Sequence, residues 1–232
     1  MGRLARRSSA WRPAAAATLL LVAAGGCGGS GLRAPDRLSD GSTPPALPAA
    51  LTGIDGAVMT DTRTLRGGDL EDEPAADCIK HVPGGALATG VARVTVEGHT
   101  LTFLAADGQQ LVACDGAARQ REPSGRWCGT ATTKWLDDHG IEDPRLDLAN
   151  CLTSDGAAVA YAWVAPPAGA RWLVVDHDRF REAYDAGGAY PVRVSTTDSI
   201  DLKRSSARID VCWYDADGRE VGDGTVEARV AG

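Results

Sequence analysis

The chain has 232 residues, a formal net charge of −7, 44% hydrophobic residues and six cysteines. An acidic body argues against nucleic acid, whose phosphates it repels, and against an electrostatic grip on an anionic membrane. Only Lys80, Lys134 and Lys203 are lysines among the 24 Lys and Arg residues.

The amino terminus comes first. Arg3, Arg6, Arg7 and Arg12 make a basic stretch without an acid, and an eleven-residue apolar run, Ala14–Ala24, follows. As a helix that run measures ~16 Å at about 1.5 Å per residue, short of the roughly 30 Å core of a bilayer. Basic flank, short apolar core and small residues behind it predict an export signal that is removed. The ending Ala24-Gly25-Gly26-Cys27 resembles the lipobox of bacterial lipoproteins and departs from it at Ala24, where leucine is usual. The resemblance implies that Cys27 receives a diacylglycerol and holds the mature chain at the extracytoplasmic face of the cell membrane. Two acyl chains anchor stably where one is marginal. Ordinary signal cleavage nearby is the alternative. Loss of residues 1–27, with four arginines and no acid, takes the net charge from −7 to −11.

Residues 28–50 are rich in Gly, Ser, Pro and Ala and include Ser42-Thr43-Pro44-Pro45. They predict a flexible tether, too polar and broken to bury a core. Beyond it the expected units are a β-rich one over 51–150 and a β-sandwich-like one over 151–232.

The dominant period is two. ARVTVEG and HTLTFLAA place Val94 and Val96, then Leu101 and Phe103, on one face of neighbouring strands. QQLVAC follows the hairpin signal Asp107-Gly108. AVAYAWV, RWLVV, YPVRVST, ARIDVCWY and TVEARV complete the set, with Gly, Pro and Asp-Gly at the breaks. Ile209, Val211 and Trp213 share one face; Arg208, Asp210 and Tyr214 share the other. Short helices are expected at Thr132–Gly140 and Asp178–Tyr184, neither long enough for a parallel crossover. The expected class is mostly β: an antiparallel β-sandwich, as one unit or two small related ones, with one or two short helices. TLTFLAADGQQLVACDG and RIDVCWYDADGREVGDG echo each other and carry the two-unit version.

Five cysteines follow Cys27: Cys78, Cys114, Cys128, Cys151 and Cys212. An exported domain is expected to form disulfides, and an odd number leaves one thiol over. Cys114–Cys128 is the expected first bridge, a local staple across EPSGR adding roughly 3 kcal/mol by chain entropy. Cys151–Cys212, Cys78–Cys151 and Cys78–Cys212 all stay open for the second. Long spacings and no C-x-x-C pair argue against a cysteine metal site.

Several catalytic signatures are missing: G-x-S-x-G, S-x-x-K, H-E-x-x-H, the P-loop and the Rossmann glycines. No catalytic residue, metal or cofactor is therefore expected. Cys78 near His81 is the closest approach to a nucleophile and base, and reads as a disulfide cysteine beside a loop histidine. His81, His99, His139 and His177 are scattered. Asp176-His177-Asp178 is the densest ligand group and reads as a solvated turn. Asp215-Ala216-Asp217-Gly218 departs from a calcium loop at Arg219, Glu220 and Val226, so it reads as a hairpin turn. Asp69, Glu71, Asp72 and Glu73 read as a solvated loop.

Aromatics are the better lead. Tyr161, Trp163, Trp172 and Tyr214 are the candidate binding residues, since exposed aromatics on a β face stack sugars or anchor partners. Buried, they form a core instead. Tyr214, on the opposite face from Trp213, is expected to be the more exposed. VAPPAGARWLVV, YPVRVSTTDSI and ARIDVCWYDADGREV resemble a segment common in exported actinobacterial proteins of unassigned function. That resemblance spans about 60 residues and implies a β-sandwich-like unit. The expected function is a lipid-anchored extracytoplasmic binding module for an envelope protein or a cell-wall glycan. The alternatives are a structural envelope component without a ligand and an enzyme with an unrecognised site.

Overall fold

The computed structural model describes residues 45–65, 73–80, 87–105, 108–117, 127, 129–135, 141–148, 152–153, 156–187 and 190–230. Outside them lie Cys27 with its lipobox, most of the tether, Asp69, Glu71, Asp72, His81, His139, Cys128 and Cys151.

The described chain is mostly antiparallel β with one α-helix. In chain order the strands are β1 (Ala57–Met59), β2 (Asp61–Leu65), β3 (Leu87–Val94), β4 (Gly98–Ala105), β5 (Gln110–Ala117), β6 (Gly129–Trp135) and β7 (Ile141–Leu148). Then follow β8 (Ala160–Val164), β9 (Trp172–Asp176), β10 (Arg181–Asp185), β11 (Val192–Thr196), β12 (Ile200–Asp201), β13 (Ser206–Tyr214) and β14 (Glu220–Val230). The helix α1 (Glu73–Ile79) lies between β2 and β3.

Two sheets result. β2 to β7 form a meander in which each strand pairs with its neighbour in sequence. The second sheet runs β1-β10-β9-β13-β14-β8-β11, with β12 beside β13. Among the described ladders only β1 on β10 is parallel. Turn chemistry explains the hairpins. Gly108 (φ +70°) closes β4 onto β5 by donating to the Ala105 carbonyl at 2.9 Å. Asp215 Oδ1 accepts from the amides of Asp217 and Arg219, both at 2.9 Å, which makes Asp215–Gly218 the β13–β14 turn. Gly218 takes φ +79° there, and a Cβ would strike the carbonyl of Ala50, so only glycine fits.

Alternation decides the faces. Leu101 and Phe103 of β4 pack with Val112 and Cys114 of β5 beneath α1, which contributes Ala75 and Cys78. In the second sheet Tyr184, Leu173, Ile209, Ala228, Ala162 and Val194 fill one core. These residues come from the whole width of the sheet, so it curls around them. Its other face carries Met59, Val174, Cys212 and Tyr214 under Leu47, Leu51 and Ile54.

Three expectations change. Residues 129–135 are strand β6, not the start of a helix: Thr133 points inward and Lys134 outward, the period of a strand. Arg181–Asp185 is strand β10, because pairing on both sides, with β9 and β1, outweighs a short helical preference. Glu73 opens a helix rather than lying in a loop. Pro74 is tolerated in a first turn, and Ala75, Cys78 and Ile79 have the i, i+3, i+4 spacing of a buried stripe.

Cys114 is bridged to Cys78, with a Cα–Cα distance of 5.8 Å, and not to Cys128. The side chain of Cys114 points to the α1 side of β5, and Cys78 is the helix residue above it. That excludes Cys78–Cys151 and Cys78–Cys212 as well. Cys212 is itself in a disulfide whose other half lies outside the described residues. Among the described residues no helix is long and apolar enough to cross a membrane.

Candidate functional site

The two sheets meet through polar side chains. β4 of the first sheet lies against β11 of the second, Arg93 of β3 reaches the Asp185 carbonyl of β10, and the seam has a closed end and an open end.

At the closed end the β3–β4 turn plugs into the curled sheet. Thr95 Oγ1 and Ser195 Oγ share a hydrogen bond of 3.0 Å. The Val96 amide donates to Glu182 Oε1 at 2.7 Å, and Tyr184 donates its hydroxyl to Glu182 Oε2 at 2.8 Å. His177, 3% exposed, stacks on Phe180 at 4.3 Å. Its Nε2 lies 3.5 Å from Glu182 and its Nδ1 3.4 Å from Asp198. Asp198 is held in place because its amide donates to Thr196 Oγ1 at 3.0 Å while its carboxylate accepts from the Asp178 amide at 3.1 Å.

Burial alone would lower the pKa of His177, but Asp198 and Glu182 outweigh burial and hold it at about 9. His177 therefore carries a proton on each ring nitrogen at neutral pH. The same pairing with His177 lowers Asp198, while burial raises Glu97 beside them. Burial first, then Glu182, holds the Tyr184 hydroxyl well above the ordinary tyrosine range. Asp176, one of the two carboxylates of the Asp176-His177-Asp178 group, lies 3.4 Å from Arg181.

Just inside the same seam Arg193 of β11 reaches across to Asp115 of β5, with Nη2–Oδ2 at 2.6 Å and Nε–Oδ1 at 3.2 Å. Its guanidinium also lies 5.0 Å from the Trp163 ring and 5.5 Å from the Tyr161 ring. The charge is thus matched on every side.

The open end is a cleft of about 270 Å³ between β2–β5 and the strand ends where β9 begins and β10 finishes. Strand register builds its floor in three rows. Thr62 and Arg93 are directly paired; so are Thr64, Val91 and Thr102; so are Thr89 and Leu104, with Leu111 next. The rows step from charged, through hydroxyl-bearing, to apolar. The facing wall carries the Arg171–Asp185 ion pair, closed by a second hydrogen bond of 2.9 Å, and Tyr190, which is 41% exposed.

Arg93 is 8% exposed and makes one long hydrogen bond, Nη2 to the Asp185 carbonyl at 3.4 Å. Its Nε has no partner, and among the described residues no carboxylate stands within ion-pair distance of it. Burial pulls its pKa below the ordinary arginine value, offset in part by Tyr184 and Asp185. Thr102 Oγ1, also in the cleft floor, is buried without a partner. A buried guanidinium and a buried hydroxyl, both unmet and both lining an open cleft, suit a bound group that supplies acceptors.

The aromatic candidates lie elsewhere. Tyr161, Trp163 and Tyr214 are buried and Trp172 is half-buried. Tyr161 and Trp163 face the first sheet, where Trp163 packs on Leu104, Leu111 and Ala131. Tyr214 is on the opposite face from Trp213, under Leu47, Leu51 and Ile54, and is 8% exposed against 5% for Trp213, so both are buried. Trp172 lies beneath the Arg171 guanidinium at 4.6 Å. Cys78, being bridged, is no nucleophile. Sequence reasoning missed Arg93 and Tyr190. Arg93 carried one local signal, a charged residue at an alternating position of a β run. No family model, curated protein or solved structure matches the chain.

Proposed function

We propose that this chain is a lipid-anchored extracytoplasmic binding module whose ligand seat is the cleft between the two sheets. The anchor half of the reading rests on the basic start, the short apolar run, the Ala24-Gly25-Gly26-Cys27 ending and the tether behind it. The binding half rests on one observation: Arg93, buried in an open cleft without a carboxylate partner among the described residues. A structural component without a ligand has no use for such a charge, because an apolar side chain of similar size would stabilise the seam more.

Each half has its test. The wild-type chain partitions with membranes into detergent, and Cys27→Ala is expected in the aqueous fraction; retention of Cys27→Ala with the membranes removes the anchor. Full chain in detergent micelles is expected to melt several degrees higher in soluble envelope extract, and Thr89→Trp, which fills the cleft, is expected to abolish the shift. An unchanged melting temperature, or a shift that Thr89→Trp retains, removes the cleft as the seat.

A further inference from the structure

We infer that the cleft takes the carboxylate of an acidic sugar, a uronate-type ring; this rests on the cleft being the ligand seat. The charge count selects the anion. Arg171 and Asp185 neutralise each other across the rim, which leaves Arg93 as the net charge of the seat. One planar guanidinium matches one carboxylate by its paired donors. A phosphate monoester carries about −1.5 to −2 at neutral pH. It would leave surplus negative charge beside the Asp185 carboxylate, with no lysine among the described lining residues to take it up.

The rows of the floor select the rest of the molecule. Next to Arg93 stands the row with Thr64 and Thr102, whose hydroxyls can give and accept hydrogen bonds; Thr102 Oγ1 lacks a partner inside the protein. Beyond it Leu104 and Leu111 make an apolar strip. A ligand that fits has a carboxylate at one end, hydroxyls along its edge and a C–H face. A sugar ring bearing a carboxylate has all three. Tyr190 on the facing wall supplies the aromatic surface on which a C–H face stacks. The cleft, about 270 Å³, has room for one ring with its substituents. Both acceptor-hungry groups, Arg93 and Thr102, sit on the floor one strand apart, at Arg93↔Thr100 and Val91↔Thr102 in the β3–β4 register. A single ring therefore spans the two.

The experiment is calorimetric titration of full chain in detergent micelles with D-glucuronate, D-glucose and inorganic phosphate in turn. Glucuronate is expected to bind at least tenfold more tightly than glucose or phosphate. Arg93→Lys keeps the charge but loses the paired donors, and is expected to weaken glucuronate at least tenfold. Thr102→Val, close in shape, is expected to weaken it severalfold with circular dichroism unchanged. Phosphate binding as tightly as glucuronate, or glucuronate binding that survives both substitutions, overturns the acidic-sugar assignment. So does no heat from any probe with a folded chain. If the envelope extract still shifts the melting temperature and Thr89→Trp abolishes it, the cleft stands as the seat and only the ligand class falls. If the extract shift is absent too, both fall together.

Discussion

Arg193 and Arg93 are both buried arginines in the seam between the same two sheets, and their company is opposite. Arg193 has a carboxylate at 2.6 Å and aromatic faces at 5.0 and 5.5 Å. Arg93 has a single backbone carbonyl at 3.4 Å. At the closed end, His177 likewise stands between two carboxylates. That end looks inward, and each charge there answers another. The open end leaves a charge unanswered within reach of solvent. The contrast separates polar groups that specify how the sheets dock from polar groups free to meet something else.

The largest effect comes from breaking the matched end. Asp115→Ala leaves Arg193 buried and alone, and is expected to cost roughly 3–5 kcal/mol, read as a lower urea midpoint with an unchanged slope. A cost under about 1 kcal/mol would mean that this pair behaves like a surface one, and the contrast would fail.

Next comes pH. His177 has an ordinary value of 6.5 and is held at about 9 in the fold. The fold favours its protonated form, so its contribution is complete below about pH 6.5 and is lost as pH rises through about 9. The linked free energy is ~3 kcal/mol. Urea midpoints measured from pH 6.5 to 9.5 are expected to fall, and His177→Gln is expected to flatten that fall. Facing His177 are Glu182, Asp198 and Glu97, all carboxylates whose ordinary titration lies on the acid side. Tyr184 next to Glu182 is held above the window. A flat profile in the wild type would show that His177 is not charged in the fold.

A smaller effect has the opposite sign. Arg93→Met removes an unmatched buried charge and is expected to raise stability by about 1 kcal/mol, while Arg193→Met lowers it by orphaning Asp115. Equal losses at both sites would erase the difference between the two ends. Smallest of all, Tyr190→Ala at the rim is expected to leave stability within about 0.5 kcal/mol and to weaken glucuronate alone; an equal loss of stability would make Tyr190 a packing residue.

Much of the fold was legible. β4, β5, β8, β9, β11, β13 and β14 follow alternating runs closed by glycine or proline, because a half-buried strand must repeat every two residues. Edge strands were harder to see. β7 includes Pro144, which only an edge tolerates, and so reads poorly as a strand. The helix α1 spans seven residues and one apolar stripe, below the length at which periodicity speaks clearly.

By itself the sequence determined the β class, the hairpin turns at Gly108 and at Asp215–Gly218, and the expectation of an anchor. These depend on neighbours in the chain. Partnership was decided only by tertiary structure: Cys114 with Cys78, His177 with Glu182 and Asp198, Arg193 with Asp115, and Arg93 with no carboxylate among the described residues. Local spacing sets which face of a strand a residue occupies. What stands across from that face depends on where a segment 78 residues away, as from Asp115 to Arg193, comes to lie. The polarity of a buried position is therefore unreadable until the two sheets meet.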